Sequence, residues 1–174
     1  MSKILLSANH IVKYFGERKI LEFEKLTVYE GDHIGIVGVN GVGKTTLLNI
    51  LSGELTPDEG SVIRKVPVSY FKQFRERVEQ VDPQKCRKLG LSGKLSREHL
   101  SGGEMTRLGL AAMNKDSLLT FADEPTANLD ADGVELCCQM LEQCSTLLLI
   151  SHDRAVLNRL CTRIIEVKDG HLHF

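Results

Sequence analysis

The chain has no excess of charge of either sign: 22 Lys and Arg stand against 23 Asp and Glu, a formal net charge of −1 over 174 residues. Global charge therefore makes no electrostatic case for nucleic acid or for an anionic membrane surface, and no basic patch of the kind that marks RNA binding stands out. Long apolar runs are missing too. Those present are short and strand-like, as in Leu147–Ile150, far below the ~20 residues that a spanning helix needs. The apolar start Ile4-Leu5-Leu6 turns polar at Ser7, too soon for a signal peptide. Five cysteines, an odd number, lack zinc-type spacing; three of them, Cys137, Cys138 and Cys144, fall on or near one expected helix. They read as buried free thiols of a reducing cytosol, in preference to a vicinal redox pair at Cys137-Cys138. There is no internal repeat and no low-complexity segment. A length of 174 residues fits one domain able to bury a core.

What is present is concentrated in Gly38–Thr45, reading G-V-N-G-V-G-K-T. It matches the phosphate-binding pattern of Gly, four residues, Gly-Lys-Ser/Thr. The segment before it, His33–Val37, reads as a buried strand, and the segment after it, Thr46–Leu51, as a helix. That context gives the pattern its mechanism. Gly38, Gly41 and Gly43 let the backbone curl so that N–H groups face phosphate oxygens, and the helix adds its positive N-terminal end. Lys44 supplies a charge for the β- and γ-phosphates, and the Thr45 hydroxyl is placed to ligate Mg²⁺.

The rest of the chain orders itself around this loop. Residues 3–32 read as β-rich, with strands at Ile4–Ala8, Lys19–Leu21 and Leu26–Tyr29. Further strands are expected at Ser61–Lys65, Val68–Phe71, Leu118–Ala122 and Thr146–Ile150. Helices are expected at Ala131–Gln143 and Asp153–Cys161, and another from the Ser101-Gly102-Gly103 turn through Met113. A closing hairpin joins Arg163–Val167 to His171–Phe174 across Lys168-Asp169-Gly170. Alternating strands and helices predict an α/β fold with a largely parallel sheet. The charged stretch from Phe74 to His99, broken by Pro83 and Gly90, is poor in apolar runs.

Four more segments follow the phosphate loop in order: Leu100-Ser101-Gly102-Gly103-Glu104, then Leu118 to Thr126 ending in Asp123-Glu124-Pro125-Thr126, then Ala127-Asn128-Leu129-Asp130, then Ser151-His152-Asp153. Taken together over essentially the whole chain, they resemble the ATP-binding cassette (ABC) ATPases. The resemblance implies residues 1–174 as one nucleotide-binding domain, with an antiparallel β subdomain, a mostly parallel core sheet flanked by helices, and a short helical subdomain at about 74–115. It implies ATP and Mg²⁺ as cofactors. Asp123, at a strand end, would hold Mg²⁺ with Thr45 and Gln73. Glu124 would be the general base, His152 would contact the γ-phosphate and hold the attacking water, and Gln73 would reach both metal and water. Asn40 and Thr46 join the phosphate-binding set. An aromatic ahead of the loop would stack on adenine: Phe15 by spacing, with Tyr14 its rival. Ser101, Gly102, Gly103 and Asp130 would act on the nucleotide of a second cassette, paired head to tail either within one longer chain or as a homodimer. The remaining histidines read as ordinary surface or structural residues, the alternating His171 and His173 included.

Local text selects a branch. Gly103-Glu104-Met105-Thr106-Arg107 and the Arg154 after His152-Asp153 resemble ABC-F proteins, which act on ribosomes. Glu124-Pro125-Thr126-Ala127-Asn128-Leu129-Asp130 carries Ala-Asn where that branch carries Asn-His, and in this it is more similar to antibiotic-resistance members. The expectation is a cytoplasmic ATPase, weak when isolated, that is an N-terminal cassette or a natural half protein. The alternative is the ATP-binding subunit of a transporter, partnered by a separate membrane permease.

Overall fold

The computed structural model describes residues 3–72 and 117–174. The first sheet is antiparallel, in the order β2-β1-β4. Strands β1 (Ile4–Phe15) and β2 (Arg18–Tyr29) form one long hairpin across the turn Gly16-Glu17, and β4 (Glu59–Arg64) pairs with the other edge of β1. The sequence suggests shorter pieces here, because His10 and Lys13 in β1 and Glu22, Glu24 and Lys25 in β2 interrupt the apolar text. The strands run through those positions. Register shifts between Ile4 and Leu6, Lys13 and Tyr14, and Asn9 and Val12 break the strict alternation that marks a strand in sequence.

The second sheet runs β5 (Val68–Phe71), β6 (Leu119–Asp123), β7 (Leu147–Ile150), β3 (His33–Val37), β8 (Arg163–Lys168), β9 (His171–His173). All its pairings are parallel except the terminal β8–β9 hairpin. Every residue of β6 and β7 is buried, as a strand covered on both faces requires. Alternation sorts them into two cores. Leu119, Phe121, Leu148 and Ile150 join the cluster containing Leu47, Leu48, Ile50 and Leu51 of α1 (Lys44–Ser52) and the apolar face of the long hairpin. Ala122, Leu147 and Leu149 join Cys137, Cys138 and Leu141 of α2 (Ala131–Leu141) and Val156, Leu157 and Leu160 of α3 (Arg154–Leu160). The fold is thus α/β, with an antiparallel sheet beside a mostly parallel one flanked by helices. The expected helical subdomain, about 74–115, and the helix from Ser101 lie outside the described residues.

Cys137, Cys138, Cys144 and Cys161 are free thiols. Burial pushes Cys137 up to about 12, which removes the reactive thiolate and leaves a packing role. Arg159 of α3 reaches across to α2, donating to Glu142 at 2.7 Å and through two nitrogens to Glu135.

His33, at the start of β3, ties three elements together. Its Nδ1 lies 2.9 Å from the carbonyl oxygen of Leu160 at the end of α3, and its Nε2 lies 3.0 Å from that of Cys144 just before β7. A side-chain hydrogen bond of this kind contributes ~1 kcal/mol, and an acceptor left unmet costs more. His33→Ala is expected to lower stability by about 1–3 kcal/mol, read as a lower urea midpoint at unchanged slope. An unchanged midpoint would remove His33 from the forces holding β3 in place.

Candidate functional site

Strands β3, β5, β6 and β7 point the same way, so their carboxyl ends share one edge of the sheet, where open α/β sheets bind ligands. The phosphate loop leaves β3 at that edge. Gly38 has φ +148°, and a Cβ there would sit 2.4 Å from the carbonyl oxygen of Val167 on β8. Gly43 has φ +112° and a Cβ would press on Ile20 of β2. Neither position accepts a side chain without moving backbone or the hairpin. Helix α1 then starts at Lys44 with Gly43 as its N-cap, no side chain capping it, and no acid in its first turn. Its N-terminal end is left for an external anion.

The Lys44 side chain is folded back on the loop, its Nζ donating to the carbonyls of Gly38 at 2.8 Å and Val39 at 3.1 Å. An ammonium has three donors, so one remains. Burial lowers the Lys44 pKa against the opposing pull of Glu124 and Asp123. Thr45 Oγ1 donates to Asp123 Oδ2 at 2.7 Å. Asp123 ends β6, is 8% exposed, and has its pKa raised by burial, partly offset by the Thr45 hydroxyl, Lys44 and Lys72.

Glu124 is the next residue, and it is unlike its neighbours. Its φ is +48°, the left-handed region that a non-glycine residue occupies at a cost. The turn is held because the Glu124 N–H donates to the carbonyl of Ile150 on β7 at 3.0 Å. Its Oε1 is buried without a hydrogen bond. His152 Nε2 stands 3.3 Å away without the alignment of one. Burial raises the Glu124 pKa first, and Asp123 adds to this, while His152 and Lys44 oppose it. A carboxylate oxygen held out of water in a left-handed turn, with His152 as its ion-pair neighbour and no hydrogen bond, keeps acceptor capacity for a ligand.

These groups face one cleft of about 490 Å³. Of the residues selected from sequence, the cleft brings together Phe15, Asn40, Gly41, Gly43, Lys44, Thr45, Thr46, Asp123, Glu124 and His152. Gly38 sets the turn but does not line it. Between the two aromatic candidates, Phe15 lines the cleft and is 52% exposed, whereas Tyr14 is not among its walls. Next to Phe15, the end of β1 is anchored on Asp58, which accepts the Tyr14 N–H at 2.6 Å and Lys13 Nζ at 3.1 Å. Asp130 is elsewhere: its Oδ1 accepts the Gly133 N–H at 2.9 Å and caps α2. Gln73, Ser101, Gly102 and Gly103 lie outside the described residues. Three walls are not in the sequence-derived set: Arg18, Ile20 and Ile150. Ile150 follows from its register beside Asp123. Arg18 follows from its pairing opposite Phe15 once β2 is known to begin there, and Ile20 from the bulge that sets it between Lys19 and Leu21.

Three comparisons extend these findings. The sequence model of the ABC transporter family matches residues 21–92. Among curated proteins, the ribosome protection protein VmlR of Bacillus subtilis is 32% identical over 163 residues, covering 90% of this chain and 30% of the relative. The erythromycin resistance ATP-binding protein MsrA of Staphylococcus epidermidis is 29% identical, covering 97% and 36%. ABC transporter F family member 2 of Arabidopsis thaliana is 30% identical, covering 97% and 29%. The chain therefore spans about a third of the length of these relatives. Among solved structures, the RNase-L inhibitor superposes with a TM-score of 0.82 at 26% identity over 99% of this chain and 39% of that one. A dimeric post-hydrolysis state of the ATP-binding cassette MJ0796, bound to ADP and Pi, superposes with a TM-score of 0.78 at 23% identity over 97% of both chains, a likeness of fold.

Proposed function

The chain belongs to the ABC ATPases, with relatives that include a member of the F family, and from that premise we propose that it is one nucleotide-binding cassette of a longer ABC-F protein that acts on the ribosome in the cytoplasm. The observation that carries the reading is the single cleft in which Lys44 and the uncapped start of α1 meet the carboxylates of Asp123 and Glu124. The names of VmlR and MsrA support ribosome protection and antibiotic resistance as the wider context. In this reading residues 1–174 form one domain, with a helical subdomain at about 74–115.

The substrate is ATP. Its triphosphate lies along the phosphate loop, where backbone N–H groups and Lys44 neutralise it and the start of α1 adds a favourable field. Its base stacks on Phe15, a contact of the order of 1 kcal/mol. Glu124 accepts a proton from the attacking water, and Oε1, which no hydrogen bond occupies, is the atom for it. His152, beside that oxygen, orients the water and the γ-phosphate. The Thr45 hydroxyl and the Asp123 carboxylate fit Mg²⁺, which takes oxygen ligands and is bound through few carboxylates together with phosphate. When bound, the ion supplies charge neutralisation at the β- and γ-phosphates. Gln73 would complete that set. Ser101, Gly102, Gly103 and Asp130 would serve the nucleotide of a second cassette, so that each ATP is fully held only between two cassettes and the isolated chain is a weak ATPase.

The transporter alternative keeps the same cleft and changes the partner. No helix among the described residues is long and apolar enough to cross a membrane, which fits either partner. The full-length protein in its ATP-trapped form is expected to cosediment with ribosomes through a sucrose cushion. Copurification with a membrane permease and no ribosome association would replace the ribosomal reading with the transporter one.

A further inference from the structure

The base end of the cleft contains a group that the ATPase chemistry does not use. Arg18 opens β2 directly opposite Phe15, its cross-strand partner in the hairpin, and residues so paired project on the same face of the sheet. Ile20, the extra residue of a bulge in β2 between Lys19 and Leu21, lines the same cleft. It packs on the phosphate loop, 3.0 Å from where a Gly43 Cβ would stand. Phe15, Arg18 and Ile20 are thus three adjoining walls of the cleft: a ring face, a guanidinium and an aliphatic edge. Lys19, between Arg18 and Ile20, points elsewhere and pairs with Glu22 at 2.6 Å. Arg18 has no hydrogen bond or ion pair among the described residues, and no acidic side chain lines this end of the cleft; Asp123 and Glu124 lie at the phosphate end.

Donor chemistry decides what such a group reads. A guanidinium only donates, through a planar fork that suits two adjacent acceptors. The exposed edge of adenine presents N7 beside the N6 amino group, an acceptor next to a donor. Guanine presents N7 beside O6, two acceptors, the arrangement that an arginine fork meets with two parallel bonds. A carboxylate would favour the amino group of adenine, but none lines the base end among the described residues. We propose that Arg18 is a specificity-determining residue that donates to the O6/N7 edge of a purine stacked on Phe15, so that this cleft takes GTP at least as readily as ATP. The proposal rests on reading the cleft as a nucleoside triphosphate site.

The test is equilibrium binding of Mg·ATP, Mg·GTP and Mg·ITP to the parent chain, to Arg18→Ala and to Arg18→Lys, with Lys44→Ala as the control for the site itself. The three nucleotides carry the same triphosphate, so any effect of Arg18 on phosphate or on the general field cancels in the affinity ratio. The parent is expected to bind GTP as tightly as ATP or tighter. Arg18→Ala should shift the GTP-to-ATP affinity ratio about tenfold toward ATP, the lower range for loss of a bidentate base contact. Arg18→Lys should do the same, because it keeps the charge and loses the fork. ITP, which has O6 and N7 without the 2-amino group, should follow GTP. An equal loss for all three nucleotides, ITP following ATP, or a parent that binds GTP tenfold more weakly than ATP would each overturn the proposal while leaving the triphosphate site standing. If the parent binds no nucleotide in a Lys44-dependent way, the site reading fails and the proposal fails with it.

Discussion

Lys44→Ala is expected to weaken ATP binding by about 100-fold or more while leaving the fold intact. Lys44 is 7% exposed and its ammonium is already bonded to the carbonyls of Gly38 and Val39, so the side chain is fixed at the mouth of the loop before any ligand arrives. Its remaining donor and its charge face the anion. A hydrogen bond to a charged group is worth about 1.5–3 kcal/mol, and 3 kcal/mol corresponds to roughly 150-fold in affinity. Alanine removes that bond together with the attraction between ammonium and triphosphate in a partly dehydrated site. The stability cost is small by comparison, because the aliphatic stem contributes little to the cluster built by Leu47, Leu48, Ile50 and Leu51. Titration calorimetry gives the affinity, and a urea melt on the same protein shows that the fold survives. Unchanged affinity would remove the phosphate-loop assignment and, with it, the ATPase reading.

The parts of this site that were legible in the sequence are those whose chemistry is local. Gly38–Thr45 is one contiguous segment between a strand and a helix, so its geometry follows from the order of residue types. Asp123 and Glu124 were legible because a strand that ends in carboxylates puts them at the sheet edge. The fold class followed from alternating strands and helices. What could not be read depends on contacts between distant segments. The long hairpin was divided in the sequence because bulges in β1 and β2 shift the apolar pattern by single residues. The expected strand began one residue late, at Lys19, so the pairing of Arg18 opposite Phe15 was not read. Which of Phe15 and Tyr14 lines the cleft depends on the path of β1, where the Tyr14 N–H is anchored on Asp58, 44 residues away in sequence. The left-handed turn at Glu124 has no sequence mark, since glutamate does not prefer it; the Ile150 carbonyl on another strand holds it there. Asn128, at φ +62°, is the opposite case. Asparagine tolerates that conformation, so the Ala127-Asn128 pair suits the backbone it occupies.

Glu124→Gln is expected to leave Mg·ATP binding within a few-fold of the parent and to reduce turnover by about 100-fold to 10,000-fold, the range lost with a positioned general base. The amide keeps the shape and size of the side chain, and the Glu124 N–H bond to Ile150 that holds the turn is a backbone contact, so the geometry is retained. What changes is one atom's ability to take a proton. The buried Oε1 without a hydrogen bond is where that ability is lost. Single-turnover hydrolysis measures the effect directly; a variant that hydrolyses ATP at the parent rate would move the role to His152, 3.3 Å away. The same carboxylate predicts the pH dependence. Burial raises its pKa above the ordinary 4.5, and a base works only when deprotonated. The acid limb of the parent's rate profile should therefore lie above the range of an exposed carboxylate, with activity lost as pH falls through the raised value. In Glu124→Gln that limb should disappear from the residual rate. The variant should also keep its ATP. If ATP is fully coordinated only between two cassettes, an ATP that is not hydrolysed holds them together. Sedimentation should then show Glu124→Gln dimerising with ATP and not without it, and the parent only transiently. A variant that binds ATP, fails to hydrolyse it and stays monomeric at every concentration would confine the whole reaction to one cassette.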